Sequence, residues 1–396
     1  MKKFKSILSL ILVIVFLYPN TAVASMGNFE DKAKGYIIGE VTTDTIVSSY
    51  NEDEALPIAS ITKIMTYIVV KESLDSGAIK LTDTVPVTDD IQAINGSSLL
   101  LEVGEVPTID QLIKGLIVIS GNDAAYALAK TVAGSEEQFV ELMNKKAEEI
   151  GLKSAKFVNS HGLPDSNTKE ENIMSVKDVY TMAKYVIEKH PEILEISSIT
   201  ALDFSNLNYK RESTIPFIKT IPGVDGLKTG TTDEAGFCLV STFKPVENEN
   251  IKDFRFISVV MGAETKEVRE EITENIINYI GTNFTYANIV NEKEIYNTIN
   301  LNKIDKGEID IYPKEKLEIL YDSTEGMQFE ESIDENIKLP LEKGDVVGIL
   351  SIKANNGKVY NVDLIVNENY ESASFGTRVK RLFSNIFNTS ALLLGF

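Results

Sequence analysis

The 396-residue sequence predicts an α+β protein, an antiparallel sheet with a helical block, followed by a small all-β domain. Three observations carry this. Strand-like runs open and close the first part of the chain, and amphipathic helices are gathered between them instead of alternating with them, which argues against a parallel βαβ sheet. Near residue 285 the texture changes to short alternating segments separated by Lys-Gly, Asn-Gly and Pro turns. The composition is 43% apolar and 25% charged, with Gly 24 and Pro 11, so the chain can bury a sizeable core.

Residues 1–24 are expected to lie outside the fold. Lys2, Lys3 and Lys5 precede an apolar run from Ile7 to Leu17, and Ala22-Val23-Ala24 is a small-x-small cleavage signal. This is the arrangement of a secretory signal peptide, too short to span a membrane comfortably. The mature protein is therefore expected to be exported, and to work at the outer face of a bacterial cell membrane or as a secreted protein.

The first domain is expected over 25–284. Gly35 to Ser49 reads as a strand pair around a Thr-Thr-Asp turn. After Pro57, Ile61, Ile64, Met65 and Ile68 share one helix face, with the polar positions on another. Thr108 and Gln111 signal a capping box for a helix from Ile109 to Ile119. Asn122 can cap the Ala-rich helix that follows. Ser135 with Gln138 opens the next, which Gly151 ends, and Ser175 with Asp178 opens another. Phe237 to Phe243 and Phe254 to Met261 read as strands, and Glu267 to Ile280 as an amphipathic helix.

An all-β domain is expected over 285–371, with strands at Glu308–Tyr312, Leu317–Tyr321, Val346–Leu350 and Val359–Val366. The tail, 372–396, places Val379, Leu382, Phe383, Ile386 and Phe387 on one helix face, with Arg378, Lys380 and Arg381 off it. A basic amphipathic helix of this kind lies in a membrane interface; packing against the chain's own β-domain is the alternative.

Charge and rare residues narrow the function. Lys plus Arg is 39 and Asp plus Glu is 59, a net charge of −20. Loss of the three leader lysines leaves 36 against 59, or −23. A nucleic-acid partner is excluded, because phosphates need a basic face. With only His161, His190 and Cys238, a Cys/His metal site and an internal disulfide are excluded as well, and no metal or cofactor is expected.

Three short motifs carry chemistry. In Ser60-Ile61-Thr62-Lys63, residues three apart on a helix are neighbours, so a lysine of lowered pKa can take the proton of a serine. A solvated helix start fits the same four residues. Ser120-Gly121-Asn122 is a polar break between two apolar helices, costly to bury without partners. Ser120 can shuttle a proton there, while Asn122 holds a substrate amide and the Lys63 side chain; helix capping is its plainer role. Lys228-Thr229-Gly230, followed by Thr231, offers a cation and a hydroxyl to a carboxylate on an edge strand, with a glycine that lets a substrate backbone lie close. A polar hairpin is the plainer reading of that stretch.

Together, and in this order, the motifs resemble those of the low-molecular-mass D-alanyl-D-alanine carboxypeptidases of the penicillin-binding family. Leu56-Pro57-Ile58-Ala59-Ser60-Ile61-Thr62-Lys63-Ile64-Met65-Thr66, Ile119 to Ala125, Asn159-Ser160-His161-Gly162-Leu163-Pro164, Pro222 to Gly230 and Ala235-Gly236-Phe237-Cys238 all look like that family. The resemblance covers residues 30 to 283, and by architecture alone the β-domain and tail. It implies a β-lactamase/transpeptidase-like catalytic domain and removal of the terminal D-alanine from peptidoglycan stem peptides. It further implies an acylated Ser60 with Lys63 as its base, roles for Ser120 and Asn122, a carboxylate site at Lys228 and Thr229, and an oxyanion hole from the backbone N–H groups of Ser60 and Thr231. β-Lactam antibiotics are then expected as covalent inhibitors. Two departures are visible: Arg211-Glu212-Ser213-Thr214 stands where the family carries an Asn-rich element, and Ser160 stands for the usual Pro. The alternatives are a β-lactamase, for which no Glu-x-x-Leu-Asn stretch is found between Ser120 and Lys228, and a catalytically weak penicillin-binding scaffold.

Overall fold

The computed structural model describes residues 27, 29–165, 168–245, 254–324, 326–334, 336–354, 358–377, 379 and 381. The expected signal peptide lies outside them, as does the tail from Leu382 on. The chain divides into two compact units, one running to Thr282 and one from Asn283 onward.

In the first unit, strands β1 (Gly35–Glu40) and β2 (Thr45–Tyr50) form the expected hairpin, and β3 (Ala55–Pro57) leads into helix α1 (Thr62–Asp75). The helical block continues with α2 (Asp89–Gln92), α3 (Ile109–Val118), α4 (Asn122–Ala133) and α5 (Glu136–Ile150). Strand β4 (Ile173–Ser175) pairs antiparallel with β3 and opens α6 (Val176–Lys189), followed by α7 (Ile193–Ser197). A hairpin, β5 (Ala201–Phe204) and β6 (Tyr209–Glu212), precedes three long strands: β7 (Val224–Thr232), β8 (Gly236–Phe243) and β9 (Phe256–Ala263). Helix α8 (Lys266–Asn283) follows. The main sheet is antiparallel in the order β2-β1-β9-β8-β7, which leaves β7 at one edge.

The capping signals are read correctly where they involve neighbours in sequence. Thr108 and Gln111 close the full capping box of α3, Ser135 caps α5 and Ser175 caps α6. One alternative and one expectation fall. Helix α1 does not open as a solvated start: every residue from Thr62 to Val70 is buried, Lys63 included. A helix packed on all sides needs no polar stripe. Asn122 does not cap α4, whose N-cap position is Gly121 with no side-chain bond, because the Asn122 amide is bonded elsewhere.

In the second unit, β10 (Phe284–Val290) pairs with β13 (Leu317–Asp322). A five-stranded sheet runs β11 (Asn297–Asn300), β12 (Glu308–Pro313), β16 (Val359–Val366), β15 (Val346–Lys353), β14 (Gln328–Ile333). Alternation puts Ile309 and Ile311 of β12, and Val362, Leu364 and Val366 of β16, into one apolar core with Leu350 and Ile352. The first tail residues are tied to this unit: Ala373 N–H donates to the Lys303 carbonyl at 2.8 Å, and the Arg381 guanidinium donates to the carbonyls of Ile304 and Asp305. Among the described residues no helix is long and apolar enough to cross a membrane.

Candidate active site

Ser60 lies in a single 3-10 turn, Ala59–Ile61, directly before α1. The turn is held from behind by a loop far along the chain. Gly162, with φ of +90°, comes so close that a Cβ on it would stand 2.0 Å from the Ala59 carbonyl oxygen. Thr62 Oγ1 donates to that same oxygen at 2.7 Å and accepts from Asn172 Nδ2 at 2.8 Å. Asn172 is fully buried, and its Oδ1 accepts the backbone N–H groups of Val158 and Asn159. Asn159 Oδ1 in turn accepts the N–H of His161 and of Gly162. This network fixes the His161 carbonyl.

Lys63 is one helical turn past Ser60 on the same side. Its Nζ lies 2.8 Å from Ser60 Oγ, and donates to Asn122 Oδ1 at 2.7 Å and to the His161 carbonyl at 2.6 Å. Burial first, and then the nearby Lys228 ammonium, push its pKa well below 10.5. The geometry suits a neutral amine. Asn122 Nδ2 donates to the Asn95 carbonyl at 2.7 Å, so Oδ1 is the atom facing Lys63. Asn122 Oδ1 and the His161 carbonyl can only accept. They take the two N–H bonds of an amine, and its lone pair is left for the Ser60 hydroxyl.

The His161 ring stays neutral. Burial, and then Lys63, lower its pKa to about 3, and its Nδ1 accepts from Leu163 N–H at 3.1 Å, so the proton is on Nε2. Ser120 holds a left-handed backbone, φ of +64°, and its buried hydroxyl has no hydrogen-bond partner. A buried unpaired hydroxyl costs free energy unless something arrives to use it.

The third motif runs along the edge strand β7. Thr231 is exposed and Gly230 is buried against the nucleophile turn: a Cβ on Gly230 would lie 2.8 Å from the Ile58 carbonyl oxygen and 3.2 Å from Ser60 N. The glycine thus lets the chain's own backbone, at Ile58 and Ser60, lie close to β7. Thr229 Oγ1 is 3.4 Å from Thr214 Oγ1, and the Thr214 and Ser213 hydroxyls both donate to the Val118 carbonyl. The stretch that replaces the Asn-rich element thus reaches β7 through Thr214. Lys228 is fully buried, donates to the Thr229 carbonyl at 3.0 Å, and has its pKa lowered to about 7 by burial and then by Arg269. Arg269, on α8, is itself buried with an unbonded Nε.

The structure therefore brings Ser60, Lys63, Asn122 and Gly230 into direct or near contact, with Lys228 felt by Lys63 through charge. Sequence reasoning missed Asn172, Asp123, Thr214 and Arg269. Asp123 and Thr214 lie in stretches compared with the family but were given no role, and the partners Leu99 and Leu101 of Asp123, Val118 of Thr214 and Thr62 of Asn172 are distant in sequence. Among the described residues no group of His, Cys, Asp and Glu could hold a metal.

Fold and site define a penicillin-binding protein. Solved structures of the same fold include penicillin-binding protein 5 from Haemophilus influenzae, 28% identical with a TM-score of 0.63, covering 90% of this chain and 100% of that one. Another is penicillin-binding protein D2 from Listeria monocytogenes in its ampicillin-bound form, 28% identical with a TM-score of 0.56, covering 66% of this chain and 99% of that one. The family model for D-alanyl-D-alanine carboxypeptidase matches residues 21–265, and the carboxypeptidase DacF of Bacillus subtilis is 33% identical over 362 residues, 88% of this chain and 89% of its own length. The chain belongs to the D-alanyl-D-alanine carboxypeptidase family, and is a serine-type carboxypeptidase of that specificity.

Proposed function

We propose that this carboxypeptidase removes the terminal D-alanine of peptidoglycan pentapeptides through an acyl-enzyme on Ser60, with Lys63 as its base. The observation that carries the reading is the Lys63 amine, buried, lowered in pKa and 2.8 Å from Ser60 Oγ. Lys63 takes the Ser60 proton as Oγ attacks the carbonyl of the penultimate D-alanine. The N–H groups of Ser60 and Thr231, on the turn and strand that meet at Gly230, receive the developing oxyanion. The C–N bond then breaks, and the proton passes from Lys63 to the leaving amine. The unpaired Ser120 hydroxyl suits that relay. Water afterwards attacks the ester, releasing the shortened peptide and restoring Ser60. Asn122 holds the Lys63 amine and a substrate amide. Lys228 and Thr229 take the terminal carboxylate: Lys228 is a fully buried lysine whose charge the Arg269 guanidinium disfavours, so an arriving anion stabilises it.

The same acylation makes β-lactams covalent inhibitors, as the ampicillin-bound relative suggests. The leader at residues 1–24 supports export, and the basic amphipathic tail supports attachment to the outer membrane face. The deciding test is release of D-alanine from a D-Ala-D-Ala-ending muropeptide. Wild type should release it and Ser60→Ala should not. Undiminished release by Ser60→Ala would overturn the assignment. A parallel nitrocefin assay should show slow turnover, which separates a carboxypeptidase from a β-lactamase.

A further inference from the structure

The residue after Asn122 is a buried carboxylate that none of the three motifs includes. Asp123 is almost fully enclosed. Its Oδ1 accepts the N–H of Leu99 at 3.0 Å and of Ala124 at 2.8 Å, and its Oδ2 accepts Ser98 Oγ at 2.7 Å and Leu101 N–H at 3.3 Å. Three of these donors belong to one loop, Asn95–Leu101, and the fourth to the first turn of α4. The same loop receives Asn122: the Asn122 N–H donates to the Ser97 carbonyl at 2.7 Å, and its Nδ2 to the Asn95 carbonyl at 2.7 Å.

The loop is held against resistance. Leu100 has φ of +59°, a left-handed conformation that leucine disfavours, and its side chain is 60% exposed, so packing does not impose it. What imposes it is the bonding of Leu99 and Leu101 to Asp123, and of Leu100 N–H to Ser98 Oγ at 2.7 Å, that hydroxyl itself tied to Asp123. Gly96 keeps the space open, since a Cβ there would stand 2.6 Å from Asn122 Nδ2.

We propose that Asp123 is a positioning residue for the reaction: by clamping the loop it fixes the carbonyls that orient the Asn122 amide, and so keeps Asn122 Oδ1 on the Lys63 amine. This inference rests on the reading of Lys63 as the base. Its consequence is directional. The charged groups facing Lys63 are Lys228 from β7, Asp123 from α4 and His161 from the loop before β4, with Tyr209 of β6 facing Asp123. His161 is neutral in the working range and Lys228 is unchanged by a substitution at Asp123. Two effects remain. Losing the carboxylate removes a charge that favours the Lys63 ammonium, and loosening Asn122 removes an acceptor that also favours it. Both lower the Lys63 pKa further.

The test is acylation of full-length protein by a fluorescent penicillin, measured across pH for wild type, Asp123→Asn, Asn122→Ala and the double variant. Asp123→Asn should lower the plateau rate by roughly 10- to 100-fold, the scale of a misplaced catalytic group. It should also move the acid limb of the profile to lower pH, and the double variant should lose much less than the product of the two single losses. Ser98→Ala, which removes one link of the clamp from a partly exposed position, should show the same shift on a smaller scale even if Asp123→Asn folds poorly. A lowered plateau with an unmoved acid limb, a wild-type profile, or multiplicative losses in the double variant would each overturn the role. Labelling of Ser60→Ala as fast as wild type would instead overturn the acyl-enzyme reading beneath it.

Discussion

Lys228 is a fully buried lysine that we propose serves the substrate carboxylate, so removing it should make the protein more stable and less active. The drop of its pKa from 10.5 to about 7 corresponds to about 5 kcal/mol of penalty on the folded ammonium. Lys228→Met keeps the length of the side chain and removes the charge. It forfeits the bond to the Thr229 carbonyl, roughly 1 kcal/mol, so the net gain should be on the order of 2 to 4 kcal/mol. The sign with pH follows from linkage. Between about 7 and 10.5 the unfolded chain keeps the Lys228 proton and the folded one has lost it, so wild-type stability rises with pH through this window. The advantage of Lys228→Met should therefore be full at pH 6 and mostly gone near pH 10. Urea unfolding of both proteins at the two pH values reads this directly. In parallel, KM for a free-acid peptide should climb in wild type as pH rises past 7, about tenfold per unit once the ammonium is the minor form. An amidated peptide should show no such climb. A Lys228→Met protein that unfolds more easily than wild type at pH 6, or a stability difference that is flat with pH, would refute the reasoning.

Gly230→Ala should keep the fold but slow penicillin acylation by roughly 10- to 100-fold, because its Cβ would push on the Ile58 carbonyl and Ser60 N–H from inside contact distance; an unchanged acylation rate contradicts this. His161 should show no ring titration by NMR between pH 5 and 9, given its pKa of about 3, and a titration in that range would show that its burial and its Lys63 contact are wrong. Asn172→Asp turns a donor to Thr62 and Asn159 into an acceptor, and should cost roughly 2 to 4 kcal/mol in denaturant unfolding at pH 7; a loss under 1 kcal/mol would mean the buried network is dispensable. Truncation after Glu371 should leave activity on soluble peptide intact and abolish binding to anionic vesicles, whereas retained binding would assign the attachment elsewhere.

Much of this was legible in the sequence, for a physical reason. Helix periods, caps and the change of texture near residue 285 depend on residues within a turn or two of each other, and Thr108, Ser135 and Ser175 cap the helices their neighbours announce. What failed depends on distant residues. Asn122 opens α4 one position past its cap, and a lysine 59 positions away claims its oxygen. The burial of Lys63 along with its neighbours in α1 was not legible, because the elements that enclose that face lie beyond any local window. The placement of Ser60 was the least legible part, and it is achieved mainly by exclusion. Gly162 backs onto the Ala59 carbonyl from one loop and Gly230 onto the Ile58 carbonyl and Ser60 N–H from the edge strand, each closer than a side chain would permit. Between them the turn is confined with Ala59 at φ of +46°, a conformation that an alanine does not choose unaided. A glycine read alone promises only flexibility. Here two of them, 68 positions apart, do the opposite, because the absence of both side chains lets two backbones close on the turn that carries Ser60, whose hydroxyl lies 2.8 Å from Lys63 Nζ.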